Sequence, residues 1–286
     1  MLERIRVRTP ISMALLFAGD VTDRFHGALF NFDLNSVLGY NTAQDIMEIQ
    51  AAVAKVHKYA TSESGDTLEM IERPHGGLSL VLADGQRSGR AAKTISNLVA
   101  RKAISLLAEG VRDGAAVRAA HDYLYANRGG KVLATLNIVS VDLVTRTVVI
   151  SRNSHCPVIV ADHHGARALD APSQPVGIYP GTKPVITELP IAPHTWLVVF
   201  TDGVLAAGQR YGERLDMVQL VTDFLADGEM DAQAMADSIL ERAVELDRGR
   251  PSDDISVLVI AIVPRVREDN VRRMAISFPI DKLGKK

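Results

Sequence analysis

The chain has 286 residues, 47% of them hydrophobic, and a formal net charge of −2. That is enough apolar material for a substantial core, in one large domain or one domain with extensions, and the charge is too balanced for a polyanion or polycation. No basic stripe marks a nucleic-acid surface, and the single cysteine, Cys156, excludes an intrachain disulfide and a thiolate metal site. The apolar run at 11–18 is too short to cross a bilayer and lacks the layout of a signal peptide. The expectation is a soluble, cytoplasmic protein with no membrane or nucleic-acid partner.

Residues 1–40 show no clear period; 13–17 is a candidate strand, and the segment has no assigned role. From 42 to 58 the spacing predicts an amphipathic helix: Thr42 is the N-cap, Asp45 favours the helix start, and Ile46, Ile49, Val53 and Val56 recur at steps of three and four. Lying ahead of the core strands, it reads as a connector or dimer helix within a boundary at 41–60. Residues 66–72 alternate as a half-buried strand, Pro74-His75-Gly76-Gly77 is a turn, and 78–83 returns as the next strand. In such a hairpin Asp66 and Asp84 share one end, where two carboxylates repel unless a cation or proton intervenes.

Helices are predicted over 88–108 and 113–127, the first ended by Gly110. Strands follow at 132–143, 147–152 and 158–161. The intervening His155 has no second ligand at fixed spacing and reads as a structural histidine. A Pro/Gly-rich loop spans 172–184, then strands at 185–189 and 196–201, helices at 213–226 and 231–246, and a closing strand at 255–263. The tail at 265–286 is basic but diluted by Glu268, Asp269 and Asp281, and reads as solvated. Strand hairpins and helix pairs in this order make no βαβ alternation. They predict an α+β fold in which two antiparallel sheets pack together with paired helices outside.

The run Leu82-Ala83-Asp84-Gly85-Gln86-Arg87-Ser88-Gly89 is an apolar strand that ends on a carboxylate and turns on glycines. It is not a P-loop, since Gly85 and Gly89 are separated by three residues and no Lys-Ser/Thr follows the second. Taken alone it is equally an ordinary capped turn. Asp202, in Phe200-Thr201-Asp202-Gly203, and Asp253, with Asp254 beside it, again sit at the ends of β-branched runs. With Asp66 and Asp84 they form an oxygen-only donor set, suited to Mg²⁺ or Mn²⁺. If two ions bind, Asp84 is best placed to bridge them, with the Gly85 carbonyl as a further ligand. A metal pair of that kind suits in-line hydrolysis of a phosphate ester.

The ordered set S-G-D at 64–66, L-A-D-G-Q-R-S-G-R-A-A at 82–92, A-T-L at 134–136, N-S-H-C-P at 153–157, P-V-G-I at 175–178, F-T-D-G-V at 200–204 and D-D-I-S-V-L-V at 253–259 resembles the SpoIIE-like branch of the metal-dependent (PPM-type) Ser/Thr protein phosphatases. Glu48-Ile49-Gln50 is similar to the connector helix that precedes such domains and helps switch them. The resemblance implies an α-β-β-α sandwich over 61–264 and two Mn²⁺ or Mg²⁺ ions. Asp84 would bridge them, Gly85 would give its carbonyl, Asp202 and Asp253 would hold metal, and Asp66 would be an additional acid. The implied substrate is phosphoserine or phosphothreonine on a small regulatory protein, such as an anti-sigma-factor antagonist of the STAS fold. The sequence departs from the family at Gln86, where many relatives carry a proton-donating His, and at Arg87, where a glycine is usual and which is a candidate phosphate contact. It departs also at Ala206, where Glu is common, and at 153–156, where N-A-G-H is usual. The rival reading is an idle phosphatase-like module that binds a phosphoprotein or scaffold.

Overall fold

A strand covered on both faces is apolar throughout, because successive side chains feed two different cores. That pattern organises the computed structural model, which describes residues 47–74, 76–228, 230–265 and 269–277. In chain order, β1 (Met47–Val56), β2 (Asp66–Glu72) and β3 (Gly77–Gly85) precede helices α1 (Gly89–Ala108) and α2 (Asp113–Arg128). Then come β4 (Ala134–Asp142), β5 (Thr147–Asn153), β6 (Val158–Asp162), β7 (Gly165–Leu169), β8 (Val185–Pro190) and β9 (Thr195–Phe200). The short α3 (Asp202–Ala206), α4 (Met217–Ala226), α5 (Ala232–Leu246) and β10 (Ile255–Pro264) complete the compact unit Met47–Pro264.

Two five-stranded antiparallel sheets result, in the orders β1-β10-β9-β6-β7 and β2-β3-β4-β5-β8. Leu80, Leu82, Val139 and Ile150 from one sheet meet Leu197, Val199, Leu258 and Ile260 from the other, forming the central core. The alternate residues Val81, Ala83, Leu136 and Ile138 face α1 and α2, through Val99, Ala103, Val117 and Leu124. Trp196, Val198, Val257 and Val259 face α4 and α5, through Val221, Met235 and Ile239. Each buried Val, Leu, Ile or Met among them contributes about 1.5–3 kcal/mol by burial. The expected α-β-β-α sandwich is the observed fold.

The helix expected at 42–58 is absent from the described part of that range, 47–58. Residues 47–56 form β1, paired along its whole length with β10 from Met47↔Pro264 to Val56↔Ile255. Met47, Ile49 and Val53 feed the central core, while Ala52, Ala54 and Val56 face the outer helices. A strand that feeds two cores places its larger side chains at irregular steps, and here those steps imitate a helical period. Ten paired residues outweigh that local preference. No connector or dimer helix therefore occupies 47–56; Thr42 and Asp45, like the candidate strand at 13–17, lie outside the described residues.

Smaller differences are local. The helix expected from 213 begins at Met217, because the Asp216 carboxylate caps the Gln219 N–H. Asp231 caps α5 in the same way. The strand β7 and the short α3 were not anticipated. Beyond the compact unit, 269–277 is exposed and has no regular secondary structure, with Asp269 paired to Arg265 (3.6 Å) and Arg273 (2.7 Å).

Candidate metal centre

Antiparallel pairing sets Asp66, the first residue of β2, directly opposite Asp84 near the end of β3. In the other sheet β9 ends at Phe200 opposite Val257 of β10. Asp202, just past β9, and Asp253, just before β10, therefore leave that sheet at one edge. All four carboxylates line a single cleft of about 370 Å³. Gly85, Gln86, Arg87 and His155 share its wall, with Leu133 and Pro175 as apolar boundaries.

Asp66 is fully buried. Its Oδ2 accepts hydrogen bonds from Thr201 Oγ1 (3.0 Å) and Ser256 Oγ (2.6 Å). Burial pushes its carboxyl above the usual range, with the Ser256 bond opposing. Burial also raises Asp84, and the charges of Asp66, Asp202 and Asp253 add to the effect. Asp202 is raised by burial and by Asp253. Behind the acids, the Asp66 main-chain carbonyl accepts from both Lys55 Nζ (2.5 Å) and Lys93 Nζ (2.6 Å). Burial lowers the Lys55 pKa, while Asp66 opposes that shift. Neither lysine was marked as part of the site by the sequence, since contacts across 11 and 27 residues leave no periodic trace.

Asp66 Oδ1 is buried and has no hydrogen-bond donor. With Asp66 and Asp84 both ionised, neither can donate to the other, so a proton or a cation must sit between them. The donor set is all oxygen and suits a hard divalent ion. Among the described residues no group of three or more His, Cys, Asp or Glu side chains is drawn together closely enough to hold a metal ion by itself. Ions such as Mg²⁺ do not require one, because they retain several waters and take one or two carboxylates. The cleft therefore fits such ions.

The neighbouring pair Asp253-Asp254 divides its work. Asp254 is buried and accepts from the Lys58 N–H (2.9 Å) and the Gly65 N–H (2.8 Å), so it braces the approach to Asp66. Asp253 is half-buried, its Oδ1 accepting from the Asp254 N–H (2.9 Å). Both glycines that follow a cleft acid are required by close packing. A Cβ on Gly85 would lie 2.0 Å from the Ala92 carbonyl oxygen, and one on Gly203 2.1 Å from that of Asp254.

Arg87 is exposed and holds a left-handed φ of 76°. That conformation explains why a glycine suits this turn. His155 is not the hydrogen-bonded structural histidine expected: it is exposed on the cleft wall, and among the described residues its Nε2 approaches Cys156 Sγ at 3.9 Å. Burial pushes the Cys156 thiol up to about 12, so no thiolate is available there. Asn153 Nδ2 donates to the Gln174 carbonyl (2.7 Å), and His121 Nδ1 accepts from the Gly177 N–H (2.9 Å). Together they hold the loop that brings Pro175 to the cleft. No helix among the described residues is long and apolar enough to cross a membrane.

Comparison with protein families matches residues 74–263 to stage II sporulation protein E (SpoIIE). Stage II sporulation protein E of Priestia megaterium is 23% identical over 217 residues, which cover 74% of this chain and 36% of that protein. The chain thus spans about a third of that relative's length. The solved PP2C phosphatase domain of SpoIIE from Bacillus subtilis, with a fragment of its regulatory domain, aligns with a TM-score of 0.66 at 19% identity, covering 77% of this chain and 65% of that one. The catalytic domain of the Ser/Thr phosphatase PstP, in complex with two manganese ions, aligns with a TM-score of 0.56 at 17% identity, covering 76% and 100%. The structural likenesses establish the PP2C fold. The profile match runs through β3 to β10 and takes in Asp84, Asp202 and Asp253, so the chain belongs to the SpoIIE family.

Proposed function

We propose that the chain is a metal-dependent protein phosphatase that hydrolyses phosphoserine or phosphothreonine on a regulatory protein. The observation that carries this reading is Asp66 facing Asp84, with one buried oxygen unpartnered, in a cleft shared with Asp202 and Asp253. These four acids and the Gly85 carbonyl would hold two Mn²⁺ or Mg²⁺ ions. Asp84 would be shared between them, since it faces Asp66 across the hairpin and lines the same cleft as Asp202 and Asp253. When bound, ions of this type lower the pKa of a water and neutralise developing charge on phosphate oxygens.

The chain's own residues do the rest. Lys55, Lys93, Thr201 and Ser256 fix Asp66 from behind. Gln86 carries a neutral amide and cannot protonate the leaving oxygen, so solvent supplies that proton. Arg87 offers a guanidinium to the phosphate at the cleft wall, in the forked geometry that suits such oxygens. Arg87→Gly is expected to raise KM for a small phosphate ester about threefold or more and to leave the metal requirement unchanged. Relief of the positive φ should add roughly 1 kcal/mol of stability. An unchanged KM would remove Arg87 from the site. The family resemblance supports a STAS-type antagonist as the phosphoprotein.

The decisive experiment removes the metal. Hydrolysis of a chromogenic phosphate ester by the full chain should fall by about a hundredfold or more in a chelator and return with Mn²⁺. Equal rates with and without the chelator would reject the reading. Failure of Mn²⁺ to elicit any turnover, with a phosphoprotein still bound, would mark an idle module instead.

A further inference from the structure

The turn leading into Asp253 carries cationic groups that the cleft does not use. Arg248 and Arg250 are both exposed. The Arg248 guanidinium lies 3.8 Å from the centroid of Tyr211, and that of Arg250 lies 5.3 Å from the centroid of Tyr59. Both rings are themselves exposed, at 39% and 56%. Neither guanidinium forms an ion pair among the described residues. Stacking on an aromatic face restrains the long side chain and leaves the N–H edge open to oxygen anions.

The turn is braced from below. Asp247, 1% exposed, accepts from the Gly208 N–H (3.0 Å) and the Ser252 N–H (2.6 Å). The Tyr59 N–H donates to the Pro251 carbonyl (2.9 Å). The segments carrying Tyr59 and Tyr211 and the turn at 248–252 are thereby tied into one lip that runs directly into the cleft at Asp253. Arg248 holds a left-handed φ of 53° within it.

We infer that this lip docks an acidic segment next to the phosphorylated residue of the substrate protein. The inference rests on the phosphatase reading above. Its argument is charge complementarity. Two guanidiniums with no ion-pair partner among the described residues stand on the turn that leads into the cleft at Asp253, and they attract an acidic segment. Arg248 and Arg250 are not among the residues that line the cleft, so the lip serves selection of a protein substrate and not the chemical step.

The test uses the full chain with Mn²⁺ and two fluorescent phosphoserine peptides, one with Asp/Glu flanks and one with neutral flanks. Binding is read by anisotropy and turnover by phosphate release. The wild type should favour the acidic peptide about tenfold, and added salt should erode that preference. The Arg248→Gln/Arg250→Gln variant should lose it through KM at unchanged kcat. That variant should still hydrolyse the neutral peptide and a chromogenic ester at wild-type rates, which also shows that it is folded. Equal treatment of the two peptides by the wild type, or an acidic preference surviving in the variant, overturns the inference and leaves the phosphatase reading standing. Absence of any Mn²⁺-dependent turnover overturns the phosphatase reading. Anisotropy then decides the lip separately: an arginine-dependent acidic preference sustains it, and no preference overturns it.

Discussion

Asp84→Asn lowers Mn²⁺-dependent hydrolysis by a factor of about 10³ and, in the same protein without metal, raises the melting temperature at neutral pH. The two effects share one cause. Burial and the charges of Asp66, Asp202 and Asp253 push the Asp84 carboxyl up to about 9. A group raised on folding contributes its full stability below its unfolded value, near 3.8, and loses it as pH climbs toward the raised value. The metal-free wild type is therefore expected to lose stability from about pH 4 to about pH 9, while Asp84→Asn, which has no charge to repel, loses less. At pH 7.5 the variant should melt roughly 5 °C higher in chelator, corresponding to about 2 kcal/mol for a domain of this size. Mn²⁺ should stabilise the wild type by mass action and leave the variant almost unmoved. Thermal melts with and without Mn²⁺ at several pH values check each part. A variant that melts lower than wild type in chelator would mean that Asp84 is held by contacts other than these acids.

Asp113→Ala is expected to cost about 3–5 kcal/mol of stability without altering the metal dependence of hydrolysis. Arg73 Nη1 donates to Asp113 Oδ2 at 3.0 Å, with the two side chains 9% and 7% exposed. The same nitrogen donates to Ser79 Oγ (3.2 Å) and Ser140 Oγ (3.1 Å), and Ser140 Oγ also donates to Asp113 Oδ1. Removing the carboxylate leaves a buried guanidinium without its ion-pair partner, the expensive half of a broken pair. Asp113 also opens α2, where an acid favours the helix start. The melting temperature should drop by roughly 10 °C. Arg73→Met combined with Asp113→Leu should recover most of the loss, because no charge is then left buried. Ser79 and Asp84 are five residues apart on β3, about 16 Å, so the catalytic response to Mn²⁺ should persist in both variants below their melting points. A melt within 2 °C of wild type for Asp113→Ala would show that the network holds little of the fold.

The acids of the site were legible because strands announce their ends. An apolar run that closes on Asp-Gly, as at Asp84-Gly85 and Asp202-Gly203, leaves a local mark. Hairpin arithmetic alone placed Asp66 beside Asp84, the register the structure shows. The two sheets and their helix pairs were equally legible, since runs such as 255–263 are apolar on both faces and the helices are not. From the sequence, metal is assigned to Asp253, and its neighbour Asp254 is left without a role. Only the fold gives Asp254 to the amides of Lys58 and Gly65 and leaves Asp253 half-exposed in the cleft wall.

What the chain determined by itself is therefore the local alphabet: which runs are strands, which acids terminate them, and that no thiolate or basic stripe competes for the function. The tertiary structure decided what depends on partners distant in sequence. It made 47–56 a strand, because β10 lies alongside it, although Ile46, Ile49, Val53 and Val56 satisfy a helical period. It brought Lys55 and Lys93 onto the Asp66 carbonyl, and stacked Arg248 and Arg250 on Tyr211 and Tyr59. Periodicity records which face of an element is buried, and it carries no record of which distant polar group will meet that element once the sheets have closed.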